Sequence, residues 1–127
     1  MFYVNVSFIH PTIFLAAFYR DFVVGGIACR IQKDDRSDGD VLYVMTLGVL
    51  APYRRGGIGR KLMEDCLEAA RSDPSLQAIT LHVQTSNELA LDFYKKFGFD
   101  LVDTVPGYYV RIDPPDAYIL RLDLKSS

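Results

Sequence analysis

The run Arg54-Arg55-Gly56-Gly57-Ile58-Gly59-Arg60-Lys61 constrains the fold more than any other part of the chain. Before it, residues 41–49 are almost uninterrupted apolar, the pattern of a central strand covered on both faces. After it, Ile58, Leu62, Cys66, Ala69 and Ala70 recur at three- and four-residue spacing, which predicts an amphipathic helix to about Arg71. Glycines at the turn leave main-chain N–H groups open to an anion, and the helix N-terminus adds partial positive charge. Arg54, Arg55, Arg60 and Lys61 flank it. A phosphate or pyrophosphate is the natural guest. A tight strand-to-helix turn needing positive φ explains the same glycines equally well.

Two nucleotide motifs are excluded by single positions. A triphosphate P-loop needs Gly-Lys-Ser/Thr, but Lys61 follows Arg60 and precedes Leu62. A dinucleotide fingerprint needs a further glycine where Leu62 stands.

Elsewhere the chain alternates strand and helix signals. Residues 13–19 and 22–31 read as strands joined by the turn Arg20-Asp21, with Gly25-Gly26 marking a bulge in the second. Residues 33–40 form a charged loop, and Ser72-Asp73-Pro74 ends the first helix. A strand at 78–83 precedes a second helix, capped by Asn87, with Ala90, Phe93, Tyr94 and Phe97 on one face and Gly98 as terminator. Residues 99–105 and 117–122 close as a hairpin. The order implies a mixed α/β sheet in one domain, 1–127.

With 127 residues, 50% hydrophobic and 24% charged, the chain can bury a core and is neither disordered nor fibrous. A net charge of −2 argues against non-specific nucleic-acid binding, which draws on many cations. Cys29 and Cys66 stand too far apart for a metal or redox pair and read as small buried residues, so no metal is expected. No signal peptide is visible, and the longest apolar stretch, 13–19, falls short of the roughly 20 residues a membrane span needs. The expectation is a soluble intracellular domain without membrane contact.

The spacing Arg54-x-x-Gly57-x-Gly59 resembles the acetyl-CoA loop of the GNAT acetyltransferases. The segment Asn87-Glu88-Leu89-Ala90-Leu91-Asp92-Phe93-Tyr94-Lys95-Lys96-Phe97-Gly98-Phe99 resembles a second motif of that superfamily. The flanks Tyr43-Val44-Met45-Thr46-Leu47-Gly48-Val49-Leu50-Ala51-Pro52-Tyr53 and Leu81-His82-Val83-Gln84 are similar to N-terminal acetyltransferases of the NatE type, over residues 2–122. The resemblance implies a sheet whose central parallel strands splay to admit the cofactor. Leu47, Gly48 and Val49 would hold the pantetheine through main-chain amides. Arg54 would belong to the same site, with Arg55, Gly56, Gly57, Ile58, Gly59 and Arg60 around the pyrophosphate. Asn87 and Tyr94 would form the other wall.

The strand at 41–49 contains no carboxylate to act as base. The resemblance assigns the proton instead to Tyr43 and His82, and makes Tyr94 the acid for the leaving thiolate. Read from the residues alone, His82 is a core histidine and Tyr43 a packing aromatic. Tyr108 and Tyr109 match the family's peptide-clamping pair and Met45 its contact to the first substrate residue; Arg111 and Ile112 continue that wall. The implied substrate is a protein N-terminus with Met followed by a hydrophobic residue, the implied location cytoplasm and nucleus, and the implied partner the NatA complex at the ribosome. An impaired acetyl-CoA-binding subunit and a lysine or small-amine acetyltransferase are the alternatives. Family members carry a further strand and helix before the counterpart of Phe2, followed by a Phe-Pro element of the peptide pocket. Their absence predicts unpaired backbone and apolar surface where an edge strand is missing, favouring self-association or a partner, and a peptide site short of one wall.

Overall fold

In the computed structural model, which describes residues 2–124, the chain runs β1 (Phe2–Ile9), β2 (Thr12–Tyr19), β3 (Phe22–Lys33), β4 (Asp40–Val49), α1 (Ile58–Arg71), β5 (Leu76–Gln84), α2 (Glu88–Lys96), β6 (Asp100–Val105) and β7 (Ala117–Asp123). A 3₁₀ turn, Ala51–Tyr53, follows β4. The strands form a single sheet in the order β1-β2-β3-β4-β5-β7-β6. Every neighbouring pair is antiparallel except β4 and β5, which α1 joins in parallel.

Alternation sets the faces. Along β2, Ile13, Leu15 and Ala17 are buried while Phe14 between them is exposed. α1 covers this inner face with Ile58, Leu62, Met63, Cys66, Leu67 and Ala70. β1 was not foreseen in the sequence, because Asn5 and Ser7 break its apolar run. It pairs with β2 from Phe2↔Tyr19 to Ile9↔Thr12, so the open edge of the sheet falls on β1, where Val6, Phe8 and Ile9 are exposed.

The glycines of β3 have a packing reason. A Cβ on Gly25 would meet Gly48 O at 3.0 Å and Ile58 Cγ2 at 3.2 Å, closer than side chains normally approach. The register opposite β2 slips beside it, leaving Val24 as the extra residue of a bulge.

Cys29 and Cys66 are the small buried residues the sequence suggested. They are 37 residues apart in sequence, but β3 and α1 bring their Sγ atoms to 3.7 Å in the core, as free and fully buried thiols. The facing Cys66 sulfur, together with burial, pushes the Cys29 thiol far above its usual pKa, so Cys29 stays protonated and inert.

α2 is bounded as its sequence dictates. Asn87 Oδ1 accepts from Ala90 N at 3.1 Å. At the other end Gly98 takes φ +98°, Gly98 N donates to Lys95 O and Phe99 N to Tyr94 O, a Schellman ending in which the Phe99 ring returns onto Tyr94. That closure fixes Tyr94 against the core. Among the described residues no helix is long and apolar enough to cross a membrane, and no cluster of His, Cys, Asp or Glu could hold a metal ion.

Candidate active site

The site begins where the sheet stops being a sheet. β4 and β5 pair from Asp40↔Leu76 only as far as Tyr43↔Thr80, and beyond that they part. The expected cover on both faces of β4 therefore holds for Val41, Leu42 and Val44 but fails at Met45, which is 46% exposed. A bulge sits at the same place: Cys29 faces Val44 and Ala28 faces Thr46, leaving Met45 unmatched. The extra residue shifts the alternation, so Leu47, opposite buried Ile27, returns to the α1 face.

The split leaves main-chain groups free. Leu50 N donates to Val24 O at 2.8 Å, so by the alternation of an antiparallel ladder Gly48 also turns toward β3, while Leu47 and Val49 present their amides to the opening. The Val49 carbonyl on that side takes Arg54 Nε at 2.9 Å. Of the expected stretch of amides, Leu47 and Val49 face the gap and Gly48 does not.

The glycine turn has the left-handed geometry its composition suggested. Gly57 takes φ +84° as N-cap of α1 and Arg55 φ +67°, whereas Gly56 and Gly59 have no positive φ. No side chain caps the helix, and its first main-chain bond is Lys61 N to Gly57 O. The amides of residues 57–60 thus have no partner within the helix and carry its positive pole. Beside them a cavity of about 270 Å³ is lined by Val49, Tyr53, Arg55, Gly57, Arg60 and Phe93, among others. Arg54, Arg55 and Arg60 all reach this cavity. Lys61 does not: it pairs with Asp65 on its own helix at 2.8 Å.

Deeper in the split, a cavity of about 340 Å³ is lined by residues of both parted strands together with Asn87, Tyr94, Tyr109 and Ile112. Met45 and Thr46 form its β4 wall, His82 and Gln84 part of its β5 wall. Tyr94 is 9% exposed, and burial pushes its hydroxyl up to about 12, so it keeps its proton at neutral pH. Asn87 lines the cavity while its carbonyl oxygen caps α2. Arg111 is exposed and lies outside this lining.

Tyr43 and His82 meet at the fork. Tyr43 Oη lies 2.7 Å from His82 Nδ1 and 3.3 Å from Tyr108 Oη. Burial lowers the His82 pKa below its ordinary 6.5, keeping the imidazole neutral and basic at pH 7. Burial, helped by Tyr108, raises the Tyr43 hydroxyl so that it remains a proton donor. His82 also borders a third cavity, about 310 Å³, on the far side of the pair. The three aromatic residues 43, 82 and 108 therefore form one contact group between two open spaces.

Three features had no signal in the sequence. The bulge at Met45 is hidden in a continuous apolar run. The ion pair Asp34–Arg121, which walls the third cavity, joins residues far apart in the chain. The stacking of Tyr108 on His82, with ring centroids 4.1 Å apart and planes 6° from parallel, depends on a loop conformation.

Residues 3–99 match the acetyltransferase (GNAT) family. N-alpha-acetyltransferase 50 of Danio rerio is 47% identical over 110 residues, 87% of this chain and 64% of that protein. The probable N-acetyltransferase san of Drosophila melanogaster is 49% identical over 109 residues, 86% of this chain and 58% of that protein. The chain therefore spans less than two-thirds of these two relatives. Among solved structures, Arabidopsis thaliana Naa50 in complex with the bisubstrate analogue CoA-Ac-MVNAL has a TM-score of 0.77 at 46% identity, covering 90% of this chain and 72% of that one.

Proposed function

Because the chain belongs to the acetyltransferase (GNAT) family, we propose that it transfers the acetyl group of acetyl-CoA to the α-amino group of a protein N-terminus. The observation that carries this reading is the 2.7 Å contact of Tyr43 with His82 at the point where β4 and β5 part. A thioester lying in the split and an amine arriving beside Tyr43 would meet there.

The residues present fit the donor. Unpartnered amides at 57–60, with Arg55 and Arg60 beside them, suit a diphosphate. The outward amides of Leu47 and Val49 suit the amide-bearing pantetheine arm, and the cavity at Tyr94 suits the acetyl end. Bound acetyl-CoA supplies the activated acetyl carbonyl.

An α-amine with a pKa of roughly 8 is mostly protonated at neutral pH and must lose a proton to attack. Tyr43 Oη can take that proton as it passes its own to His82 Nδ1, so neither residue need carry a bare charge in a half-buried site. Tyr94, held protonated by burial, is the donor for the departing thiolate. Tyr109 and Ile112, with Met45, wall the space where the first substrate residue would lie. The Arabidopsis neighbour's analogue carries Met-Val at its start, which supports a methionine-initiated substrate with a hydrophobic second residue. Docking on the NatA complex at the ribosome belongs to the same proposal.

The test is direct. Purified protein with acetyl-CoA should acetylate a Met-Val or Met-Leu peptide at its free α-amine and leave the α-blocked, lysine-containing peptide untouched. Transfer to the lysine alone would replace this reading with side-chain acetylation. Binding of acetyl-CoA without transfer to either peptide would leave an acetyl-CoA-binding subunit.

A further inference from the structure

We infer that Tyr108 is a positioning residue for the Tyr43–His82 pair: its ring fixes the imidazole plane and its hydroxyl directs the Tyr43 proton toward His82 Nδ1. The loop that borders the peptide space would thereby also set the state of the proton acceptor. For its effect on turnover this rests on the acetyl-transfer reading, but its geometry does not.

Three contacts carry it. Tyr108 stacks on His82 at 4.1 Å and 6°, its Oη lies 3.3 Å from Tyr43 Oη, and Tyr43 Oη lies 2.7 Å from His82 Nδ1. A hydroxyl has one proton to donate, and a neutral imidazole has one donor and one acceptor nitrogen. If Tyr108 donates to Tyr43, the Tyr43 proton is free to point at Nδ1, and the imidazole proton resides on Nε2. Nδ1 then holds the lone pair that proton acceptance needs. In the reverse arrangement Nδ1 carries a proton and cannot accept one. Tyr108 therefore selects the working tautomer.

The stack is not a chance surface contact, because the loop is tied to the strand that carries His82. Gln84 Nε2 donates to Pro114 O at 2.9 Å and Thr85 N to Asp116 O at 3.1 Å. Gly107 N donates to Asp116 Oδ1 at 2.9 Å and Tyr109 N to Pro115 O at 2.8 Å. Tyr109 backs the Tyr108 ring edge-on at 4.9 Å. The charged groups on the far side, Lys33, Asp34, Asp35, Arg36, Asp103 and Arg121, contribute as many cations as anions, and burial, to which the stacked Tyr108 ring adds cover, is what lowers the His82 pKa.

The chain has two histidines, so ¹⁵N spectra of a His10→Gln background isolate His82 without any substrate. The expected result is a neutral imidazole protonated at Nε2, titrating below 6.5. Tyr108→Leu should move the titration up toward 6.5 as water reaches the ring. Tyr108→Phe, which keeps the stack, should hold the midpoint but shift the tautomer toward Nδ1–H. In turnover, Tyr108→Leu should move the acid limb of kcat/KM up with His82 and lower kcat by roughly tenfold, part of the ~10²–10⁴ a positioned base supplies. A residue that only clamps peptide would raise KM and leave the His82 spectrum alone. That outcome, or an unchanged tautomer in folded Tyr108→Phe, overturns the inference. Absence of turnover with the spectral shifts intact would instead remove the acetyl-transfer reading and leave the positioning role standing.

Discussion

Asp34 and Arg121 lie 87 residues apart in the chain and meet as a two-pronged ion pair, with Nη1–Oδ1 and Nη2–Oδ2 both 2.9 Å. The pair ties the loop after β3 to β7, and Asp34 also accepts from Ser37 Oγ at 2.6 Å and Arg36 N at 3.0 Å. Removing one partner leaves the other charge buried. Arg121→Met should cost about 3–5 kcal/mol in denaturant unfolding, more than a typical surface pair would.

The same carboxylate sets an acid limit on stability. Arg121 holds the Asp34 pKa well below its ordinary 3.8, so the unfolded state binds the proton more readily. This stabilisation is fully present above about pH 4 and is lost as pH falls toward the lowered value. Asp34→Asn, less stable at neutral pH, should show a shallower loss of stability below pH 4. Thermal melts across that range would check it.

His82→Ala should reduce kcat by about 10²–10⁴, and Tyr43→Phe by roughly tenfold or more. Protonated His82 cannot accept a proton, so on the proposed reading acetyl transfer by the unmutated chain should fall as pH drops through the His82 pKa, which lies below 6.5. That limb should vanish in His82→Ala, leaving only the rise near pH 8 from the substrate amine. Full activity in both variants would exclude the pair from the chemistry.

Gly57→Ala tests the turn before α1. At φ +84° an L-side chain is strained by about 1–2 kcal/mol, while nothing lies within 4 Å of the added Cβ. The strain should appear as lower stability. The methyl group, projecting beside the free amides, should raise KM for acetyl-CoA and leave KM for peptide nearly unchanged.

Cys29 and Cys66 should resist alkylation in the folded protein. Both should react once the chain unfolds, so labelling by iodoacetamide should follow the unfolding rate. Rapid native labelling would show that α1 lifts from β3 far more easily than its packing implies.

Much of this architecture was legible because it is local. The 3.6-residue period found α1, Asn87 and Gly98 bracketed α2, and the Arg54–Gly59 spacing located the turn at Gly57. What stayed hidden depends on pairing across distance. β1 carries Asn5 and Ser7 within its run and becomes a strand through its partner β2 rather than through its own pattern. The bulge at Met45 follows from register against β3, which no single strand records. Residues 43, 82 and 108 were each visible as candidates, yet only the fold puts Tyr108 flat against His82. Lys61, counted among the cations of the turn, pairs with Asp65 on its own helix, whereas Arg54 lines the cavity with its Nε on the Val49 carbonyl.

The mismatch at Met45 also bears on how the chain tolerates change. Two adjacent parallel strands with open amide rows would zip together if their phases allowed. One surplus residue, wedged where the ladder ends, shifts the alternation of everything downstream on β4. Deleting Met45 would leave Thr46 opposite Ala28 and Leu47 opposite Ile27, so the downstream faces stay as they are, but β4 would lose its bulge and run on as a regular strand, letting its open amide row close on β5 past Tyr43 without disturbing the core around Leu42. A point substitution there trims a side chain, whereas a one-codon deletion should abolish acetyl-donor binding in a protein that still folds.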